Sequence, residues 1–435
     1  MRFSARRSKT RPRGGGALLA VVVTTANFVA LFLHWNLLFF QEDTTEAEIS
    51  LSISQENSTC SSTGKLRGKH VVLLDVHLEG NLGDIQETLP VVKHLKSCGV
   101  ARITAVLSNW KPTLVEKMHS RTVQVQGYID EFQTFESQPP PSSSTIVVVA
   151  PGPWKICELT QKWTHKIDIF LGGSFMWDPL CNEHSEWESK AWAVVKASRL
   201  VVVREPASYK LAEEKQIPST TTSLLLGADF SYSLEINKAS QAYWKQYYDH
   251  YSETYLVGRK SNAREAHGAD TATKPHRSVI FSRNNNFGRG VRISHGDQVL
   301  LKVPNRSVVN LPLSDVIFAT SSDIEDAGHF AFLQKTYRGL HDAQMIQCQS
   351  IEQLFGLLSS TLVDHVYTDR YHPGVAAHLQ GKSFSVLDYP AEQIKLDGLA
   401  ALTASTGTSN HNTAQSLKAM NDQAFQMLDA VISVG

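Results

Sequence analysis

The residues best equipped for chemistry crowd into Tyr367-Thr368-Asp369-Arg370-Tyr371-His372-Pro373-Gly374. An acid, a fixed cation and an imidazole here sit between a short apolar run, 365–368, and a helical pattern at 374–379. His372 can move a proton near neutral pH. Arg370 can hold an anionic group beside it through a planar fork that Lys lacks. Asp369 can orient the imidazole or shape the turn. A helix starting near Pro373 uses proline where its missing N–H costs nothing. Of 17 His in the chain, His372 is the one boxed by Asp, Arg and a helix start.

Three further segments follow apolar runs. Glu79-Gly80-Asn81-Leu82-Gly83-Asp84 comes after the run at 70–76. Its glycines let backbone N–H groups approach a ligand, and a helix N-terminus behind them favours an anion. The segment lacks the Gly-Lys-Ser/Thr of a P-loop and the G-x-G-x-x-G of a dinucleotide fold. A tight turn capped by Asp84, with Glu87 completing a capping box, fits it equally well. Phe170-Leu171-Gly172-Gly173-Ser174 reads as a strand running into a glycine turn, which in an open α/β sheet faces the ligand crevice. Phe281-Ser282-Arg283 places a second arginine just past a strand, where it can grip a carboxylate or phosphate or be solvated.

Positioning these segments requires parallel strands alternating with helices. Strand patterns occur at 70–76, 103–107, 146–150, 167–171, 200–203 and 223–226, with helical patterns near 187–198 and 207–215. Ile85, Leu89, Val92 and Leu95 share one face of a further helix. Residues 236–276 are polar, with a helical pattern at 239–251, and read as a connection. A second series follows: strands at 278–281, 315–319, 343–347, 365–368 and 383–387, helices at 324–337, 351–359 and 374–379, and a closing helix at 414–432. The alternation predicts an α/β fold with mostly parallel sheets. It divides the chain into an N-terminal α/β domain at 69–235 and a C-terminal one at 277–435.

Upstream, residues 1–16 carry six basic side chains and no acid, and residues 17–40 contain no Asp, Glu, Lys or Arg. About 20 apolar residues cross a bilayer core, so 17–40 reads as a transmembrane signal anchor. Its basic flank is then cytosolic and the remainder lumenal, the layout of a Golgi membrane protein. A cleaved signal or a transit peptide are the rival readings. The polar segment 41–68 reads as a stem, and Asn57-Ser58-Thr59 and Asn305-Arg306-Ser307 fit the glycosylation pattern.

Lys plus Arg and Asp plus Glu each total 42, giving zero formal net charge, which excludes a wholesale nucleic-acid binder. Five cysteines are too few for a disulfide scaffold, and no zinc-type spacing occurs. In an oxidising lumen Cys98, Cys157, Cys181 and Cys348 can form up to two bridges. Cys157 with Cys181 is the first choice, leaving Cys60 for a disulfide-linked homodimer.

Taken in order, these segments resemble the polysaccharide pyruvyl transferase family. Gly80-Asn81-Leu82-Gly83-Asp84 looks like its G-N-x-G-D element, and Gly172-Gly173-Ser174 like its glycine turn. Arg204-Glu205-Pro206-Ala207-Ser208 resembles R-[DE]-x-x-S, with Glu where Asp is usual. Gly227-Ala228-Asp229 matches a small-residue-Asp step, and Thr368-Asp369-Arg370-Tyr371-His372 resembles T-D-R-x-H, followed by Gly381-Lys382. Residues 255–276 are an insertion. The resemblance implies a GT-B-like pair of Rossmann-like domains with a cleft between them. It implies transfer of pyruvate from phosphoenolpyruvate to two hydroxyls of a glycan sugar, giving a cyclic ketal, without cofactor or metal. Arg283 and Arg370 would bind the dianionic donor, together with the Gly80–Asp84 loop (Gly80, Asn81, Gly83, Asp84) and the Gly172-Gly173-Ser174 turn. His372 would be the general acid, supported by Asp369. Asp84 or Asp229 could act as base, or serve as a capping and a sheet-end residue. The alternatives are a GT-B glycosyltransferase using a nucleotide sugar and an inactive glycan-binding relative.

Overall fold

The computed structural model describes residues 66–434, apart from 79–81, 109–124, 126, 138–141, 143–144, 177, 184, 251–276, 283–288, 295–297, 305–307, 322–343, 390–392 and 405–409. The proposed anchor 17–40, the stem up to residue 65, both glycosylation tripeptides, Gly80, Asn81 and Arg283 therefore lie outside the described residues. Among the described residues, no helix is long and apolar enough to cross a membrane.

Valine- and leucine-rich runs without alternation are the mark of strands covered on both faces, and they assemble here into two parallel sheets. The first comprises β1 (His70–Val76), β2 (Arg102–Leu107), β3 (Glu131–Gln133), β4 (Thr145–Val149), β5 (Gly152–Trp154), β6 (Ile169–Phe175), β7 (Leu200–Val203) and β8 (Ser223–Leu226). Its order is β3-β2-β1-β4-β6-β7-β8, with β5 paired to β6. The chain leaves β1 toward β2 and β3, then returns to the other side of β1 as β4. That reversal opens a crevice at the carboxyl ends of β1 and β4. The second sheet contains β9 (Ser278–Phe281), β13 (Val316–Thr320), β14 (Gln344–Gln347), β15 (His365–Thr368) and β16 (Ser383–Val386). Its order, β14-β13-β9-β15-β16, repeats the reversal between β9 and β15. Between β9 and β13 a three-stranded antiparallel meander intervenes, β10 (Val291–Ser294), β11 (Gln298–Leu301) and β12 (Val309–Pro312). The sequence reading had no place for this meander, because its four-residue strands are short and half-exposed.

The helices that matter to the site are α1 (Leu82–Ser97), α2 (Ile156–Lys162), α3 (Ser185–Ala197), α4 (Pro206–Glu214), α5 (Ile351–Ser359), α6 (Tyr371–Leu379), α7 (Gln393–Ala404) and α8 (Asn410–Val434). A further helix, 238–250, begins the connection. One hydrophobic cluster runs from Val71 and Leu73 of β1 to Val279 and Phe281 of β9 and to Phe425 and Leu428 of α8. The closing helix α8 packs on the first sheet's side. Asn421 accepts from the Ala228 N–H at 3.2 Å and donates to the Asp229 carbonyl at 2.9 Å.

Several boundaries differ from the sequence reading. Gly172 and Gly173 are not in a turn: β6 runs through them to Phe175. A Cβ on Gly172 would lie 2.3 Å from the Phe230 ring, and one on Gly173 2.1 Å from the Trp154 indole. The glycines thus leave room for aromatic side chains to approach the sheet backbone. Helix α1 begins at Leu82, so Asp84 sits in the first turn rather than at the N-cap. It is also buried around much of its circumference, with Gln86, Glu87 and Thr88 as enclosed as Ile85. Helix α6 begins at Tyr371, two residues before Pro373. Cys157 and Cys181 form a disulfide with Cα atoms 5.6 Å apart, and Cys98 is disulfide-bonded as well. Cys348 is a free thiol in the core, so no bridge in the head includes it. Cys60 lies outside the described residues.

Candidate functional site

Where the N-terminal half of α1 meets the start of α6, four charged side chains close on one another with almost no exposure. Arg204 follows β7, Asp229 follows β8, Glu87 comes from the second turn of α1, and His372 from the first turn of α6. Strand ends deliver Arg204 and Asp229 because the apolar run of each strand stops there. Glu87 and His372 arrive on helices packed against that sheet edge. Arg204 pairs through Nη1 with Glu87 and, at 3.0 Å, with Asp229; its Nε donates to Ser174 Oγ at 2.8 Å. His372 Nε2 bonds Glu87 and stands 3.5 Å from Asp229 Oδ2. Ser174 donates to Glu205 at 2.5 Å, and Ser208 donates to the other Glu205 oxygen. The Tyr371 ring lies under the Arg204 guanidinium at 4.6 Å.

Buried charges persist only when paired, and this network supplies two cations for Glu87 and Asp229. Burial alone would depress the His372 pKa, but Glu87 and Asp229 outweigh it and hold the imidazole up at about 9. His372 is therefore an imidazolium at neutral pH, able to give a proton and unsuited to take one. For Asp229, burial works the other way and is overcome by the His372 hydrogen bond, the His372 charge and Arg204, which keep the carboxyl well below its ordinary range. So strongly ionised a group is a poor base. Asp84 is pushed up by burial, against the opposing charges of His77 and His372.

The structure brings Gly83, Ser174 and His372 together. Gly83 is obligatory in this packing, since a Cβ there would lie 2.0 Å from His372 Nδ1. Asp84 stands one turn from Glu87 on the same helix. Asp369 is fully buried, accepts from Ser282 Oγ at 2.6 Å, and its N–H bonds the Phe281 carbonyl. It ties β15 to β9 and so shapes the turn, while Glu87 and Asp229 orient His372. Arg370 is the N-cap of α6, half-buried, its N–H bonded to Thr368 Oγ1 at 2.8 Å. Glu87 and Arg204 were not among the site residues drawn from the sequence. Arg204 ends an uninterrupted apolar strand, and a charge so placed must be solvated, paired or functional; that signal was there to read.

Asp84, Glu87 and His372 have donor atoms within 4.8 Å of one another. Glu87 already serves a guanidinium and an imidazolium, so a divalent cation would have to displace both.

No protein-family model and no curated protein matches the sequence. Among solved structures, the chain is similar to UDP-GlcNAc 2-epimerase from Neisseria meningitidis bound to UDP-GlcNAc, with 10% identity, TM-score 0.40, and coverage of 83% of this chain and 94% of that one. The Anabaena protein HepE in complex with UDP and glucose is similar over 82% of this chain and 98% of its own, at 12% identity and TM-score 0.40. A UDP-forming α,α-trehalose-phosphate synthase from Burkholderia vietnamiensis covers 84% and 98%, at 8% identity and TM-score 0.37.

Proposed function

We propose that the chain is a transferase acting on hydroxyls of a glycan, with phosphoenolpyruvate as donor and a cyclic pyruvate ketal as product. One observation carries this reading: elements far apart in sequence, each resembling a motif of the polysaccharide pyruvyl transferase family, meet in a single buried network. Gly83 of the first element packs on His372 of the last. Ser174 and Arg204 of the middle elements bond each other, and Arg204 reaches Asp229. In the proposed reaction C3 of the enol takes a proton from the His372 imidazolium as the oxygen of the first sugar hydroxyl bonds to C2, and the proton released from that hydroxyl passes through solvent to restore the imidazolium. The second hydroxyl then displaces phosphate from C2, and its proton leaves with the departing group. His372, held as an imidazolium, supplies the acid function. Arg370 and Arg283 grip the donor's carboxylate and phosphate.

The second reading is a GT-B-like enzyme using a nucleotide sugar. The similar structures bind UDP or UDP-GlcNAc or form UDP, which stands nearer to this reading. That likeness is one of fold at low identity, and the donor is decided by experiment. Purified full-length protein is incubated with either donor and galactose-, mannose- or glucuronate-terminated acceptors, and the product examined by NMR for a ketal carbon. A ketal formed from phosphoenolpyruvate supports the first reading; a glycosidic linkage formed from a UDP-sugar replaces it with the second. We also propose that residues 17–40 anchor the head in the Golgi lumen. Protease protection of a C-terminal tag in intact microsomes tests this, and digestion without detergent would refute it.

A further inference from the structure

About two turns along α1 from Glu87, a second cluster of chemically capable side chains forms where α1 meets α8. Cys98 follows the last turn of α1, its N–H still bonded to the His94 carbonyl at 2.9 Å. Four positions apart on a helical turn, His94 and Cys98 lie on the same face. Asp429 of α8 arrives opposite them. His94 Nε2 stands 2.8 Å from Asp429 Oδ1 and 3.5 Å from Cys98 Sγ, and Cys98 Sγ is 3.8 Å from Asp429 Oδ2. The Phe425 ring stacks on the imidazole at 4.2 Å and fixes its plane. His94, Cys98 and Asp429 are 9%, 5% and 2% exposed. Ser97, beside Cys98, is exposed, so solvent reaches the cluster from the end of α1.

An imidazole nitrogen, a cysteine sulfur and a carboxylate oxygen are a donor set that suits zinc. Zinc binds sulfur at about 2.3 Å and nitrogen or oxygen at about 2.0–2.2 Å in a tetrahedral shell, which sets its ligand atoms about 3.3–3.6 Å apart. The separations from Cys98 Sγ, 3.5 and 3.8 Å, already lie in or near that range. The His94–Asp429 pair needs to open by about half an ångström as an ion replaces their hydrogen bond. Asp429 lies 335 and 331 positions from His94 and Cys98, so no local zinc spacing could reveal the trio. One bond stands in the way: Cys98 is held in a disulfide, and the thiolate is the form that binds metal. Cys157 and Cys181 pair with each other and Cys348 is a free thiol. Of the five cysteines, Cys60 is the one left to complete the bond to Cys98.

We propose that opening the Cys98 disulfide creates a zinc site from His94, Cys98 and Asp429. A dithiol reductant breaks the S–S bond; the two sulfurs take up two electrons and two protons, and the dithiol closes into its own disulfide. Zinc then displaces the Cys98 thiol proton to solvent. His94 binds through Nε2 with its proton on Nδ1, Asp429 gives one oxygen, and water fills the fourth position. In the oxidised chain the His94–Asp429 hydrogen bond joins α1 to α8 at this point; in the reduced chain the ion takes over the joint. Helix α1 carries Glu87, and α8 carries Asn421, which donates to the Asp229 carbonyl. The ion thus clasps two helices that also hold the buried network.

The test uses full-length protein carrying Cys60→Ser, which frees the Cys98 thiol without any reductant and keeps the Cys157–Cys181 bridge closed. Cobalt(II) is the probe. The variant should show the sulfur-to-cobalt charge-transfer absorption of a thiolate ligand, together with the visible bands of a four-coordinate ion. Zinc should displace the cobalt and raise the melting temperature of the variant, with no such gain for oxidised wild type. Adding Cys98→Ser should remove the charge-transfer band. Adding Asp429→Asn, which keeps a hydrogen-bond acceptor beside His94, should weaken cobalt binding about tenfold or more. The same band in oxidised wild type, its absence from the Cys60→Ser variant, its survival in Cys98→Ser, or unchanged affinity in Asp429→Asn would each overturn the proposal.

Discussion

His372 carries a positive charge that the fold cannot do without, because Glu87 and Asp229 are buried on either side of it. Replacing it with Ala should lower turnover on the order of 100- to 10,000-fold. It should also destabilise the protein by about 3–5 kcal/mol, as when one partner of a buried pair is removed; kinetics and denaturant melts read the two effects. Arg370→Lys keeps charge but loses the planar fork, so donor affinity should fall while the unfolding midpoint stays near wild type. Gly83→Ala drives a methyl into the imidazole ring and should cost about 1–3 kcal/mol of stability as overpacking, along with most of the activity. A thermal melt at the wild-type midpoint would refute that contact. His372 and Gly83 could be picked out in the sequence because local neighbours mark them: an acid and a cation before the histidine, a strand end before the glycine. The pairing of Arg204 with Glu87 could not, since 117 positions separate them and only the tertiary fold joins them.

At the scale of elements, strands were the more legible part. Runs such as Val71-Val72-Leu73-Leu74 and Leu200-Val201-Val202-Val203 have no polar face, and only a strand covered on both sides uses such a run. The apolar face of helix α1, Ile85, Leu89, Val92 and Leu95, is legible in the sequence and buried, but Gln86, Glu87 and Thr88, which look like a solvated face, are buried as well. Their burial is set by the elements packed around that helix, which no local pattern reports. The closing helix α8 is tied to the rest of the fold at one specific point, where the Asn421 amide satisfies both the Ala228 N–H and the Asp229 carbonyl. Asn421→Leu strands those two buried backbone groups and should cost about 1–3 kcal/mol. Because the Asp229 carboxylate extends from the same residue, the variant should also slow turnover, which Asn421→Asp, keeping the acceptor oxygen, should do less severely. Unchanged denaturant midpoints in both variants would show that α8 is held elsewhere.

For the molecule as a whole, the buried network writes a pH signature into folding. The folded-state pKa of His372, about 9, lies above its ordinary 6.5. Its stabilisation is therefore complete below pH 6.5 and lost as pH rises through about 9. Asp229, held below its ordinary 3.8, contributes fully above that value and loses its contribution as pH falls further. His70 and His378 are lowered chiefly by burial and so act on the acid side of 6.5. Unfolding free energy should thus decline between pH 6.5 and 9, and His372→Gln should flatten that limb. The most direct test of the central claim is inorganic phosphate release from phosphoenolpyruvate by the full-length protein in the presence of a diol-bearing glycan acceptor. Pyruvyl transfer gives acceptor-dependent phosphate release that falls at least 100-fold in His372→Ala; UDP release from a UDP-sugar by the same preparation, with no phosphate released from phosphoenolpyruvate, would contradict it.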